Sequence, residues 1–322
     1  MIRTSHYLFA ALCLGSLFAC SRQFTDSYIV PKWCFAVFML FIVLAYEAVN
    51  ILFYRQNEQK DTRISVYGFI IVISCFLQAM FGVVQFFGFF QISTTLWVTG
   101  SFDNPAGFAA CLCAGFPFVG FLLSDSNKYI RYVGGLIGFV IVIAVILSQS
   151  RAGIMSIAFI CFILLNMKFF HKRWVKYLSL LCFALLLSGC YWMKKDSADG
   201  RLLIWRCSVS MVKDTPWLGH GIGSFEARYM DYQADYFRQY GLNRYSMLAD
   251  NVKHPFNEYL GVLLNFGFVG LLMILALITL LIYCYKKHPC AEKRIAFYSL
   301  ISIGVFSFFS YTFTYPFTWI VT

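Results

Sequence analysis

Three stretches place chemically capable residues where an apolar chain leaves charge little room. Ser148-Gln149-Ser150-Arg151-Ala152-Gly153 sets a guanidinium between two apolar runs with almost no loop to spare. Burying such a group near lipid costs at least about 2.5 kcal/mol unless it is paired or hydrated. Arg151 therefore either snorkels to head groups or faces a cavity that takes an anion. A guanidinium suits phosphate because its fork makes two parallel hydrogen bonds. In Gly200-Arg201-Leu202-Leu203-Ile204-Trp205-Arg206 the spacing predicts a helix beginning near residue 200. Arg201 would lie at its start, where free N–H groups add to the attraction for anions; the alternative is a solvated surface charge. In Asn251-Val252-Lys253-His254-Pro255-Phe256-Asn257-Glu258 the chain enters another apolar run, with His254 and Asn257 at its mouth. Histidine can act as a general base near neutral pH, although a lone histidine is more often structural.

A fourth stretch, Pro216-Trp217-Leu218-Gly219-His220-Gly221-Ile222-Gly223-Ser224-Phe225, has spaced glycines. No strand precedes them, which argues against a nucleotide-binding loop. A tight, shaped turn between two helices fits better, with His220 in a structural role. Most of the twelve cysteines, Cys75, Cys111, Cys161 and Cys182 among them, lie in apolar runs, where Cys is a small hydrophobe. Cys111 and Cys113 make only C-x-C, with no second pair at zinc spacing. No metal and no cofactor is expected.

The elements that must position these residues are membrane spans. The 322 residues are 60% hydrophobic and only 13% charged, against about 25% charged in a soluble domain. The net charge of +11 does not indicate nucleic acid: most basic residues sit in short loops beside apolar runs, with no basic face carrying interleaved aromatics. Apolar runs fall at about 7–21, 33–54, 64–90, 105–124, 129–148, 152–170, 174–192, 258–285 and 295–320. Each can cross about 30 Å of hydrocarbon, the first marginally, and each must be helical to satisfy its own backbone. Leu17-Phe18-Ala19-Cys20 resembles a lipoprotein cleavage box, but the many runs behind it favour a short first span.

Basic residues alternate between loops. Arg55, Lys60 and Arg63; Lys128 and Arg131; Lys168, Lys172, Arg173 and Lys176; and Lys286, Lys287, Lys293 and Arg294 mark cytoplasmic loops. The 91–104 loop has no Lys or Arg, and the 149–151 turn has only Arg151. Segment 193–257 then lies on the outer side. A structureless loop of that length is uncommon, so it should fold. Helices are expected at about 200–213 and 225–240, the second capped by Ser224, favoured by Glu226 and ended by Gly241. Phe225, Tyr229, Tyr232, Tyr236 and Phe237 would rest on the membrane interface or on the bundle. The expectation is an all-α, polytopic transmembrane helical bundle of about nine spans with a large, mostly helical periplasmic loop. It divides into a bundle at 1–192, a loop subdomain at 193–257 and terminal spans at 258–322. Because no basic cluster follows residues 315–322, either the chain ends outside or its last span is truncated.

Taken in order, these stretches resemble the O-antigen ligase and polymerase family. The match runs from Thr99-Gly100-Ser101-Phe102-Asp103-Asn104-Pro105 through Ser148–Gly153, Gly200–Trp205 and Pro216–Phe225 to His254–Gly270. The resemblance implies a metal-independent transferase on the periplasmic face of the bacterial inner membrane. It would move a glycan from undecaprenyl diphosphate to an acceptor hydroxyl on a glycan or the lipid A core. Arg151 and Arg201 match the family's arginines, which implies diphosphate binding and leaving-group stabilisation; Asn257 and Glu258 would line the substrate site. The family often has His directly before the Asn ahead of the Gly-x-x-Gly span, where this chain has Phe256. His254 or Glu258 could take the acceptor proton instead, or the good leaving group needs no strong base. A transporter or flippase for a lipid-linked anionic glycan would use the same arginines, and an inactive assembly scaffold would not need them.

Overall fold

The computed structural model describes residues 2–53, 60–89, 98–168, 172–193, 195–287 and 290–322. Among them the chain is helical, without strands. The helices are α1 (Ile2–Phe18), α2 (Ile29–Phe53), α3 (Lys60–Phe86), α4 (Pro105–Gly115), α5 (Val119–Leu123), α6 (Lys128–Leu147), α7 (Arg151–Lys168), α8 (Arg173–Met193), α9 (Lys195–Asp214), α10 (Ser224–Tyr240), α11 (Glu258–Lys287), α12 (Ala291–Phe309) and α13 (Pro316–Val321).

Among the described residues, six segments are long and apolar enough to cross a membrane: Ile29–Asn50, Val66–Phe86, Pro105–Leu123, Lys128–Leu147, Arg173–Trp192 and Glu258–Lys287. The runs at 7–21 and 152–170 form shorter apolar helices, Thr4–Phe18 and Arg151–Met167. The run at 295–320 is not one helix. It stops at Phe309 and resumes as a short helix at Pro316, where proline sits in the first turn because it has no N–H to donate. Arg55, Lys194 and residues 90–97 of the expected 91–104 loop lie outside the described residues, as do the side chains of Lys60, Arg63 and Lys168.

The chain forms two compact units. The first comprises Met1–Ile160, Cys290–Phe306 and Thr312–Thr322; the second comprises Cys161–Pro289 and Ser307–Tyr311. In the first unit α4 is central, with Gly107 to Gly115 all buried. Pro117 follows it and cannot donate to the Cys113 carbonyl. Ser302 Oγ donates to that carbonyl at 2.8 Å, and Ser299 Oγ donates to the Ala114 carbonyl at 2.6 Å. The Thr99–Pro105 motif is a buried clip in this unit. Gln85 Oε1 accepts from the Thr99 and Gly100 amides, Ser101 Oγ donates to the Leu17 carbonyl, and Asn104 Oδ1 accepts from the Gly107 amide. Lys32, fully buried, donates to the Ser101 and Ala19 carbonyls and lies 4.9 Å from the Phe102 ring centroid.

The second unit is built on a broken helix. Gly267 has φ 61 and ψ −159, so α11 is two helical segments rather than the continuous span expected at 258–285. Groups released at the break are taken up by residues 216–221. The His220 amide donates to the Leu264 carbonyl at 2.7 Å, and the Gly221 amide to the Asn265 carbonyl at 3.1 Å. In return the Phe268 amide donates to the Pro216 carbonyl at 2.8 Å, and the Val269 amide to the Trp217 carbonyl at 3.2 Å. The two backbones approach so closely that only glycine fits. A Cβ on Gly267 would lie 2.3 Å from the Trp217 carbonyl carbon and oxygen, and one on Gly219 2.6 Å from the Asn265 carbonyl carbon.

Helices α9 and α10 close over the clasp through a core of Leu203, Ile204, Cys207, Met211, Phe225, Tyr229, Tyr245 and Leu264. The aromatic face of α10 finds its partners on α9 and on Leu264 of α11: Phe225 and Tyr229 are buried, with Tyr232, Tyr236 and Phe237 packed beside them. Ser224 is not the expected cap. Gly223, at φ 78, holds the N-cap position, and Ser224 Oγ turns to Asn265. Gly241 ends α10 as expected, its amide bonded to the Phe237 carbonyl at 2.9 Å.

Gly267→Ala and Gly219→Ala should each destabilise the second unit by about 2 kcal/mol or more, since strain and backbone overlap add. Gly189→Ala in α8, whose Cβ meets nothing within 4 Å, should be neutral or stabilising by up to about 1 kcal/mol. Thermal unmasking of the buried Cys207 thiol, followed with a maleimide dye on protein in nanodiscs, measures both.

Candidate active site

Arg201 lies six residues past the start of α9, not at a helix start as expected. Gly200 lies inside the helix rather than at its boundary, since one glycine costs a helix only about 1 kcal/mol. Asp196 favours the positive end of α9. Buried Asp199 accepts from the Tyr191 hydroxyl of α8 at 3.2 Å, which holds the first turns in place. Interior backbone amides are already bonded, so the side chain alone brings the charge.

That side chain is held by aromatic and carbonyl groups. The Arg201 guanidinium carbon stands 5.0 Å from the Phe256 ring centroid, a cation–π contact. Nη1 donates to the Phe309 carbonyl. Phe256 reaches this place through a left-handed backbone, φ 51, a conformation costing on the order of 1–3 kcal/mol for a bulky residue. Trp205, one helical turn beyond Arg201, donates from Nε1 to the Pro255 carbonyl at 3.0 Å and pins the strained segment. Its ring meets Phe308 edge-on at 6.0 Å.

His254 stacks on Tyr311, with ring centroids 4.6 Å apart and planes 27° apart. Tyr311 also meets Phe256 at 5.5 Å. Arg201, Phe256, Tyr311 and His254 thus form one continuous cluster. Burial pushes the His254 imidazole below its usual value of 6.5; Glu226 opposes this and Lys253 reinforces it. The neutral base is therefore the resting form at neutral pH. Asn257 is buried, and its Oδ1 accepts from the Leu260 amide at 3.1 Å, opening α11. Glu258 is the first residue of that helix.

Arg151 belongs to the first unit, the other four expected site residues to the second. It is the first residue of α7, with Ser150 Oγ accepting from the Gly153 amide at 3.3 Å. The positive helix end expected at Arg201 is found at Arg151 instead. Gly153 permits close packing there, since a Cβ would lie 2.9 Å from Ala109 Cβ. His220 is structural: Arg228 donates to Nδ1 at 3.0 Å, leaving Nε2–H to donate to the Met211 carbonyl at 2.8 Å. Sequence reasoning passed over Tyr311, Trp205 as a peg, and the Phe309 carbonyl. The only available signal was the polar interruption Ser310-Tyr311-Thr312 within the last apolar run. Among the described residues, no group of three or more His, Cys, Asp or Glu could hold a metal ion.

Long apolar helices, together with a helical, polar subdomain, define a multi-pass membrane protein. Residues 136–275 match the O-antigen ligase family, a family of glycan transferases acting on lipid-linked substrates, and this supports membership of that family. No curated protein and no solved structure matches the chain. The matched stretch contains Arg151, Arg201, His254, Asn257 and Glu258 together.

In the folded protein His254 should titrate with a midpoint below 6.5. NMR of histidine-labelled protein, assigned with His254→Gln, checks this. Tyr311→Ala should move the midpoint back up, because water regains one face of the ring. The depressed value makes a stabilising contribution that is complete above 6.5 and is lost as pH falls through the folded midpoint. A midpoint above 6.5 contradicts the assignment.

Proposed function

We propose that this chain is a membrane glycosyltransferase of the O-antigen ligase or polymerase type. It moves a glycan from undecaprenyl diphosphate to an acceptor hydroxyl on the periplasmic face of the inner membrane. The observation that carries this reading is the family match over 136–275, the stretch that holds all five candidate residues.

In the proposed reaction the acceptor oxygen attacks the anomeric carbon of the lipid-linked sugar. The bond from that carbon to the diphosphate oxygen breaks, and undecaprenyl diphosphate departs with the electron pair. Arg201 grips the diphosphate and stabilises the growing charge, which is electrostatic stabilisation by a fixed donor, and Arg151 is the second candidate for that role. Phe256, behind Arg201, keeps water from one face of the guanidinium. His254, neutral at pH 7, receives the acceptor proton; Glu258 is the second candidate for that step. Asn257 and Glu258 border the acceptor. The reading uses no metal and no cofactor. A transporter or flippase role is not favoured, since the matched family is one of transferases. The acceptor is a glycan or the lipid A core.

Arg201→Ala and Arg151→Ala should each abolish surface glycan joining while the protein still inserts. Normal glycan ladders on a gel from both variants would reject the site. His254→Ala should lower turnover by about 10²-fold or more with little change in carrier affinity. Wild-type activity should fall as pH drops through the His254 midpoint below 6.5. An unchanged rate in His254→Ala passes the base role to Glu258. Deleting the gene separates the two types: loss of all long chains from lipid A indicates a ligase, and single repeats left on the core indicate a polymerase.

A further inference from the structure

We infer that residues 216–222, clasped to the break in α11, form a wedge that inserts into the lipid head-group and upper acyl region beside that helix. The inference needs α11 to span the membrane and does not depend on the transferase reading.

Helix length locates the wedge. Over its 30 residues α11 would measure about 45 Å at about 1.5 Å per residue, well beyond the roughly 30 Å of a hydrocarbon core. The segment from Phe268 to Lys287 accounts for about 30 Å by itself. With Lys286 and Lys287 at one interface, Gly267 falls at the other. The clasp bonds at Leu264, Asn265, Phe268 and Val269 then hold residues 216–221 at that same level.

The side chains at this level suit lipid. Trp217 is 68% exposed, Leu218 75% and Ile222 84%, and Phe266 and Phe268 of α11 are also exposed beside the clasp. From Pro216 to Gly223 no residue carries a permanent charge. The imidazole there, His220, has both ring nitrogens bonded within the protein, to Arg228 and to the Met211 carbonyl. Tryptophan favours the membrane interface. Irregular backbone is tolerated near hydrocarbon only where protein satisfies its polar groups, and the break in α11 does so for four of them.

The test uses the full chain in vesicles of phosphatidylcholine and phosphatidylglycerol. An environment-sensitive fluorescent amino acid is placed at Leu218, at Ile222 or, as a control, at Met247, which is 92% exposed in the same subdomain. Quenching by nitroxide lipids labelled near the ester, by lipids labelled deep in the chain and by aqueous iodide is then compared. At Leu218 and Ile222 the shallow nitroxide should quench several-fold more than iodide and more than the deep label. At Met247 iodide should dominate. Iodide quenching at Leu218 and Ile222 equal to that at Met247, with no effect of either nitroxide, overturns the inference and leaves the patch to a protein partner. The readout is depth, so it stands or falls separately from loss of activity in the Arg201 variant.

Discussion

A helix that breaks within an apolar run releases carbonyls and amides that its own segment cannot bond, and hydrocarbon offers no water in exchange. Each unsatisfied group then costs several kcal/mol. In this protein the break at Gly267 is answered by four backbone hydrogen bonds from residues 216–221. The requirement propagates. Gly219 and Gly267 must lack side chains for the two backbones of the clasp to meet. Pro216 to Gly221 must then be irregular, and α9 and α10 must enter and leave at the angles that the turn dictates. The first unit meets the same constraint differently: Pro117 frees the Cys113 carbonyl, and Ser302 fills the vacancy from another helix.

The candidate site is built on that clasped frame. Leu264, whose carbonyl accepts from the His220 amide in the clasp, also closes the core around Leu203, Cys207 and Tyr229. The face of α9 that packs into this core leaves Arg201 and Trp205 toward residues 254–256. There a strained phenylalanine lies against the guanidinium, and a tryptophan hydrogen bond holds the strain. Local strain of this kind persists only when surrounding contacts over-determine it. Phe256 stands where the resemblance led us to expect histidine, and it supplies a ring for Arg201 rather than a base. The nearby imidazole is stacked, part-buried His254, whose depressed basicity comes mainly from burial.

Much of this was legible in advance. The apolar runs predicted helices, and among the described residues six of the nine form helices long and apolar enough to span. The folding of 193–257 into two helices followed from its periodicity and its punctuation, and Gly241 ends α10 as its position suggested. Boundaries were less legible. Gly200 looked like a start, yet packing of Asp199 against Tyr191 outweighed its weak preference. Ser224 looked like a cap, yet Gly223 holds that position because the turn required a positive φ there.

Apolar length and residue chemistry are properties of segments, so the membrane class and the order of the candidate residues could be read along the chain. Which groups meet was left to the tertiary structure. Arg201 over Phe256, His254 on Tyr311 and residues 216–221 against the break in α11 join positions from 44 to 57 apart in the chain. No local pattern encodes such pairs. They arise because packing must cover apolar surface and satisfy every buried backbone group at once.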